Sequence, residues 1–361
     1  MQVLNERVQR SMKINIYKIF LLTVVALLQL TACKDDNDSA EEVKYIQFGR
    51  LVVEQPSSPE DTRGAIIEGK DGGKNYHGNI SLYGLYSGTT YISENNLEVK
   101  DGYLETAYPW PAGNKSLSFY AFAPAASGEN LTVSPSNTAL NCEVKYTLPT
   151  ESNNQKDLLF GEVGPCTEAD TDLTGALSFK FQHVLSRITF RAEKAASITD
   201  DVIITSIKIN KAMNTLGGTL ATGTTFAWEA IEGSTERKDY TFALASPNNK
   251  AIADDTADET KKITFLKNGD KDFSLFMFPH TVAQFTNDGT NRTQLEIKYT
   301  IGSGDDQIFT EYLDDHSAAN GNYFWEMGQW INYVIKFKDK RVYFEAHILD
   351  WDDTYKIEEE L

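Results

Sequence analysis

From residue 43 onward, apolar and polar residues alternate with a period of two along much of the chain. Ile80-Ser-Leu-Tyr-Gly-Leu-Tyr86 shows it well, placing Ile80, Leu82 and Gly84 on one face of a half-buried strand. Residues 43–53 predict a first strand, with Ile46, Phe48 and Val52 sharing a face. Further strands are predicted over 117–123, 143–148, 177–181, 187–193, 202–209, 273–278, 294–301, 330–337 and 341–349. These runs are rich in Val, Ile, Thr, Tyr and Phe, and Gly, Asn, Asp, Ser and Pro clusters separate them. No stretch sustains a helical period for four turns, and only 197–201 and 314–321 leave room for a short helix.

The first 42 residues follow a different pattern. Arg7, Arg10, Lys13 and Lys18 precede an apolar run over 19–28, which ends in Leu30-Thr31-Ala32-Cys33. A basic, then apolar, then small-residue order is that of a secretory signal, and the apolar run is too short to span a bilayer as a mature helix. Cysteine after Leu-Thr-Ala resembles the bacterial lipobox, in which the thiol is acylated and becomes the new N-terminus. Residues 1–32 are therefore the expected signal peptide, and Cys33 the expected lipidation site. The acidic run Asp35-Asp36-Asn37-Asp38 that follows resembles the export tag of Bacteroidota surface lipoproteins. On its own terms, 33–42 is a solvated tether with little to bury.

The 329 residues that remain are too many for one small sandwich. Many short, turn-punctuated strands point to sandwiches, so the expectation is an all-β chain of two: 43–170 and 171–361. The polar stretch 165–172 is the candidate boundary, and the polar loop 246–262 a surface excursion. Residues 1–32 carry four basic groups and one acidic group, so processing takes the formal charge from −18 to −21. Such a charge argues against nucleic-acid binding, which needs basic stripes, and against attachment to anionic lipid by charge.

Candidate chemistry is thin. There is no Gly-x-Ser-x-Gly elbow, no Gly-x-x-x-x-Gly-Lys loop and no His-Glu-x-x-His. Asp305-Asp306 and Asp314-Asp315-His316 lack calcium-loop spacing, and the five histidines are scattered. No metal, cofactor or enzymatic activity is expected. Cys142 and Cys166 leave a single disulfide open but form no framework. His183 reads as a structural histidine with a backbone partner. Trp110, Trp325 and Trp330 read as core residues or as stacking platforms for sugars.

Several short motifs, in order along the chain, together resemble the fimbrillin family, the subunits of Bacteroidota-type (type V) pili. They are the lipobox, Asp61-Thr-Arg-Gly64, Ser118-Phe-Tyr-Ala-Phe-Ala-Pro124, Asp157-Leu-Leu-Phe-Gly161, Phe179-Lys-Phe-Gln-His-Val-Leu-Ser-Arg-Ile188, Asn214-Thr-Leu-Gly-Gly-Thr-Leu220 and His347-Ile-Leu-Asp-Trp-Asp352. The resemblance implies two tandem transthyretin-like β-sandwiches and a structural role in surface fimbriae at the outer membrane. It also implies an arginine-specific protease that cuts between Arg63 and Gly64, releasing the lipid and the first strand together. Another subunit's strand would then fill the gap, with residues 341–349 and the following tail as the candidate donor. The tail departs from the family pattern, being strongly acidic with Tyr355, Ile357 and Leu361 as its only apolar positions after Trp351. Ser39 and Thr256 sit in sequences resembling the Bacteroidota O-glycosylation acceptor. The competing expectation is a monomeric surface lipoprotein that captures glycans through exposed aromatics.

Overall fold

The computed structural model describes residues 43–49, 51–53, 76, 78–86, 89–100, 102–125, 130–135, 141–172, 175–221, 225–231, 236–244, 250–253, 267–268, 271–272, 274–281, 292–313, 323–338 and 341–349. In chain order the strands are β1 (Tyr45–Phe48), β2 (Val52–Val53), β3 (Gly78–Tyr86), β4 (Thr89–Val99), β5 (Leu104–Pro109), β6 (Leu117–Ala123), β7 (Leu131–Pro135) and β8 (Asn141–Thr147). There follow β9 (Leu159–Cys166), β10 (Ala176–Leu177), β11 (Lys180–His183), β12 (Ser186–Lys194), β13 (Val202–Met213), β14 (Thr215–Ala221), β15 (Arg237–Phe242) and β16 (Ile252–Ala253). The last are β17 (Lys267–Asn268), β18 (Lys271–Asp272), β19 (Leu275–Met277), β20 (His280–Thr281), β21 (Gln294–Ile301), β22 (Gln307–Tyr312), β23 (Tyr323–Trp325), β24 (Trp330–Lys338) and β25 (Arg341–Leu349). Short 3₁₀ turns lie at Ser152–Asn154 and Glu168–Asp170. The stretch 197–201, which left room for a short helix, does not form one. That stretch is turn and coil, its Ile198 N–H donating to Ala195 in a tight reversal.

A first apolar core lies between a three-stranded sheet, β10-β1-β5, and a six-stranded sheet, β2-β11-β9-β6-β3-β4. Ile46 and Phe48 meet Leu82, Phe119, Phe179 and Phe181 there. The middle of the six-stranded sheet, at β3 and β6, is buried on both faces, which is why β6 reads as a nearly continuous apolar run rather than an alternating one. Tyr83, Leu85, Tyr120, Phe122 and Phe160 leave its other face to join a second core. That core also takes the inner faces of β15-β13-β21-β22, of β16-β12-β24-β25 with β19 beside β12, and of β14-β8-β7.

The chain passes between the cores more than once. The β7-β8 hairpin pairs with β14 in the second core, β9 returns to the six-stranded sheet, and β10 and β11 stay with the first sheets. Residues 176–183 therefore pair with strands that precede residue 170, and the stretch 165–172 holds the end of β9 and a 3₁₀ turn. Elements of the second core run on from β12.

Glycines 217 and 218 show why one motif has its composition. A Cβ on Gly218 would run into the Phe226 ring, so β14 needs bare backbone where that ring crosses it. Beside it, Asn214 Nδ2 donates to Leu148 O at 2.9 Å and to Tyr240 Oη at 3.2 Å, pinning β14 to the end of β8.

Candidate functional site

The segment from Lys44 to Val53 is the best-built seat for an exchangeable strand. β1 is the middle strand of its sheet, parallel to β10 (Gln47 opposite Ala176) and antiparallel to β5 (Phe48 opposite Leu104). The chain then crosses to the facing sheet, where β2 pairs in parallel with β11 (Val52 opposite Lys180). Gly49 N–H donates to Leu177 O, Leu51 N–H to Gly102 O and Val52 N–H to Phe179 O at 2.7, 3.0 and 3.0 Å. In return, Trp110 N–H donates to Lys44 O, Tyr76 N–H to Leu51 O and Thr106 Oγ1 to Ile46 O.

Ile46, Phe48, Leu51 and Val53 are buried. Phe48 is the anchor, with its ring edge-on to Phe119 at 5.1 Å and tilted on Phe179 at 5.0 Å. Val52, expected on the same face as Ile46 and Phe48, is only half-buried. The two-residue period breaks where the backbone changes sheets at Gly49, so Leu51 and Val53 take the inward places instead.

Further along the chain, β25 is an edge strand among the described residues, paired over its whole length with β24 (Trp330 opposite Leu349, Lys338 opposite Arg341). Phe344 is buried against Tyr333, with ring centroids 5.8 Å apart, while Tyr343, Glu345 and His347 face solvent. Cys33, Ser39, Arg63, Gly64 and Thr256 lie outside the described residues, as do 314–321 and most of the loop 246–262.

The aromatic candidates for sugar binding are core residues. Trp110 packs edge-on to Phe119, Trp325 Nε1 donates to Tyr333 Oη, and Trp330 Nε1 donates to Thr189 Oγ1. All three are buried, as the core reading has it, and they offer no stacking platform for a sugar. The two cysteines are free and lie in different cores. Cys142 approaches Thr90 Oγ1, and Cys166 donates toward Leu117 O. Burial raises both thiols, Cys166 to about 12.

His183 is structural, and a carboxylate is among its partners. Its Nδ1 sits 2.7 Å from Asp157 Oδ2, both groups buried. β9 and β11 run side by side with His183 opposite Leu159, and that register brings the Asp157 and His183 motifs together. Spacing along the sequence gives no sign of this pair, since 26 residues separate the two. Arg187, from the same motif, donates from Nε to Ser274 Oγ and lies over the Trp330 ring at 4.1 Å. His280 also escaped sequence reasoning. It is fully buried, its Nε2 accepts from Met213 N–H, and desolvation brings its pKa down to about 4. These histidines hold strands together; among the described residues no group of His, Cys, Asp and Glu is placed to bind a metal ion.

A profile of the fimbrillin-like family matches residues 69–351, most of the chain. The chain belongs to the fimbrillin-like family. It is 29% identical over 121 residues to the fimbrium subunit Fim1C of Phocaeicola vulgatus, a match covering 30% of this chain and 31% of that subunit. Its fold is similar to that of a fimbrial protein from Bacteroides vulgatus, at a TM-score of 0.53 and 19% identity, over 76% of this chain and 92% of that one. A fimbrilin from Porphyromonas gingivalis aligns at a TM-score of 0.46 and 10% identity, over 86% and 98% of the two chains.

Proposed function

We propose that this chain is a structural and adhesive subunit of cell-surface fimbriae, built from two β-sandwich units and without catalytic function. It is delivered to the outer membrane through a lipid on Cys33 and joins a fimbria by strand exchange. The observation that carries the reading is the seat of residues 44–53: a central strand with four buried apolar side chains and neighbours on both sides. Cleavage between Arg63 and Gly64 would detach that strand from the rest of the chain together with the lipid. Its departure would leave unpaired backbone on β5, β10 and β11 above an open apolar core, a template for a strand from another subunit. The lipobox, the acidic tether and the polar loop around Arg63 support the delivery and processing steps. Ser39 and Thr256 are the proposed O-glycosylation sites.

The test is to treat the purified protein with an arginine-specific protease and follow fragment mass and particle size with fimbrial subunits present. Loss of the 33–63 piece together with association is expected. Cleavage elsewhere, or loss of the piece with no gain in association, would overturn the exchange step. Separately, Cys33→Ala is expected to abolish membrane retention or leave the precursor unprocessed; normal retention would remove the lipid anchor from the account.

A further inference from the structure

We infer that the seat of Ile46–Val53 is selective for a strand from a different protein, and that residues 341–361 of this chain do not fit it. The inference rests on the strand-exchange reading and specifies the partner's chemistry. The seat imposes a spacing that few strands have. Its inward residues fall at Ile46, Phe48, Leu51 and Val53, steps of two, three and two, because the occupant must leave β10 and β5 and join β11 on the opposite sheet. A regular strand, with steps of two throughout, would turn a side chain into solvent after the crossing.

Two positions are more demanding than the rest. The Phe48 place is walled by the Phe119 and Phe179 rings, which fits an aromatic group. At Gly49 a Cβ would lie 3.2 Å from Tyr103 Cε1 and 3.3 Å from Ala176 Cβ, so the place favours a very small residue and a larger one must push both neighbours back. The seat therefore reads aliphatic, any, aromatic, small, any, aliphatic, any, aliphatic.

The terminal residues fail this pattern in every register. With Val342 and Phe344 in the first two pockets, Glu345 falls at the small position and His347 in the third pocket. Starting at Phe344 puts Ala346 in the aromatic pocket and His347 at the small position. In the acidic tail, Tyr355 and Ile357 would be followed by Glu358 at the small position and Glu360 in a pocket. The stretch Val202, Ile204, Ile207, Ile209 does repeat the two-three-two spacing, across a register shift, but it is the buried face of β13, zipped between β15 and β21. Neither stretch can supply the pattern, so once Ile46–Val53 has left, the seat fits a strand of another protein better than the terminal strand of its own kind.

The first arm of the test uses the intact chain. Gly49→Val and Phe48→Leu are expected to lower the melting temperature, while Tyr45→Ala and Gln47→Ala, on the outward face, leave it unchanged. Equal effects on both faces would overturn the selectivity. The second arm uses the chain cut after Arg63, with the cut verified by mass and the protease then inhibited. Fluorescent peptides of residues 43–53 and 341–361 are added. The first is expected to bind, its Phe48→Ala and Gly49→Val forms on the order of tenfold weaker or more, and the second not to bind. Binding of 341–361 as tight as that of 43–53, indifference to the two substitutions, or no binding of any peptide to the cut chain would overturn the inference. A chain that stays uncut counts against the strand-exchange reading alone, and the first arm still decides whether the seat is selective.

Discussion

The first and last described strands are opposites. β1 lies in the middle of its sheet with neighbours on both sides, and its segment buries four apolar side chains across two sheets. Among the described residues β25 lies at the edge of its sheet on one neighbour, with Phe344 its anchor in the core and Tyr343, Glu345 and His347 in solvent. A middle strand is costly to lose and leaves a specific vacancy. An edge strand is easier to lift away and presents one free row of backbone groups. A chain that gives up its first strand and offers its last would be arranged in this way, with the selective seat at one end and the accessible strand at the other.

The largest contrast is expected from thiol labelling after removal of the 33–63 piece. Cys166 belongs to the core beneath β1 and Cys142 to the second core. Cleavage should expose Cys166 to a thiol reagent while Cys142 stays protected; parallel labelling of both would mean that the two cores open together. Next in size, Phe48→Ala should cost about 3–5 kcal/mol in denaturant unfolding, from lost burial and the cavity left between Phe119 and Phe179. A loss below about 1 kcal/mol would remove the anchor role.

Acid should act on the second core first. The fold holds His280 neutral, with its pKa lowered from 6.5 to about 4, so between these values the unfolded chain binds the extra proton. Stability from this group is complete above pH 6.5 and falls as the pH drops toward 4, by about 1.4 kcal/mol per pH unit. Hydrogen exchange across that range should loosen β20, β23 and the Met213 amide before β1, and His280→Gln should flatten the dependence. The smallest effect is expected at the exposed edge: Tyr343→Ala should change stability by no more than about 0.5 kcal/mol.

Much of this fold could be read where a strand carries its own apolar pattern. The bounds of β6, β21 and β25 coincide with those expected from alternation and composition. β14 was hidden by Gly217 and Gly218, which weaken a strand pattern yet are needed beneath Phe226. β9 was hidden by Gly161, Gly164 and Pro165, and β4 by its polar outer edge, Ser93 to Asn96. In the seat, Ile46 and Phe48 were legible from alternation. Leu51 and Val53 were not, because only the tertiary crossing at Gly49 puts them inward. The Asp157–His183 pair depends on strand register, which no local spacing encodes.

The central claim is that the chain enters fimbriae without its first strand, and N-terminal sequencing of protein recovered separately from fimbriae and from membranes tests it most directly. The account predicts a sequence beginning at Gly64 in fimbriae and a chain beginning at acylated Cys33 in membranes. Fimbria-borne chains that still carry Tyr45–Val53 joined to Gly64 would contradict it.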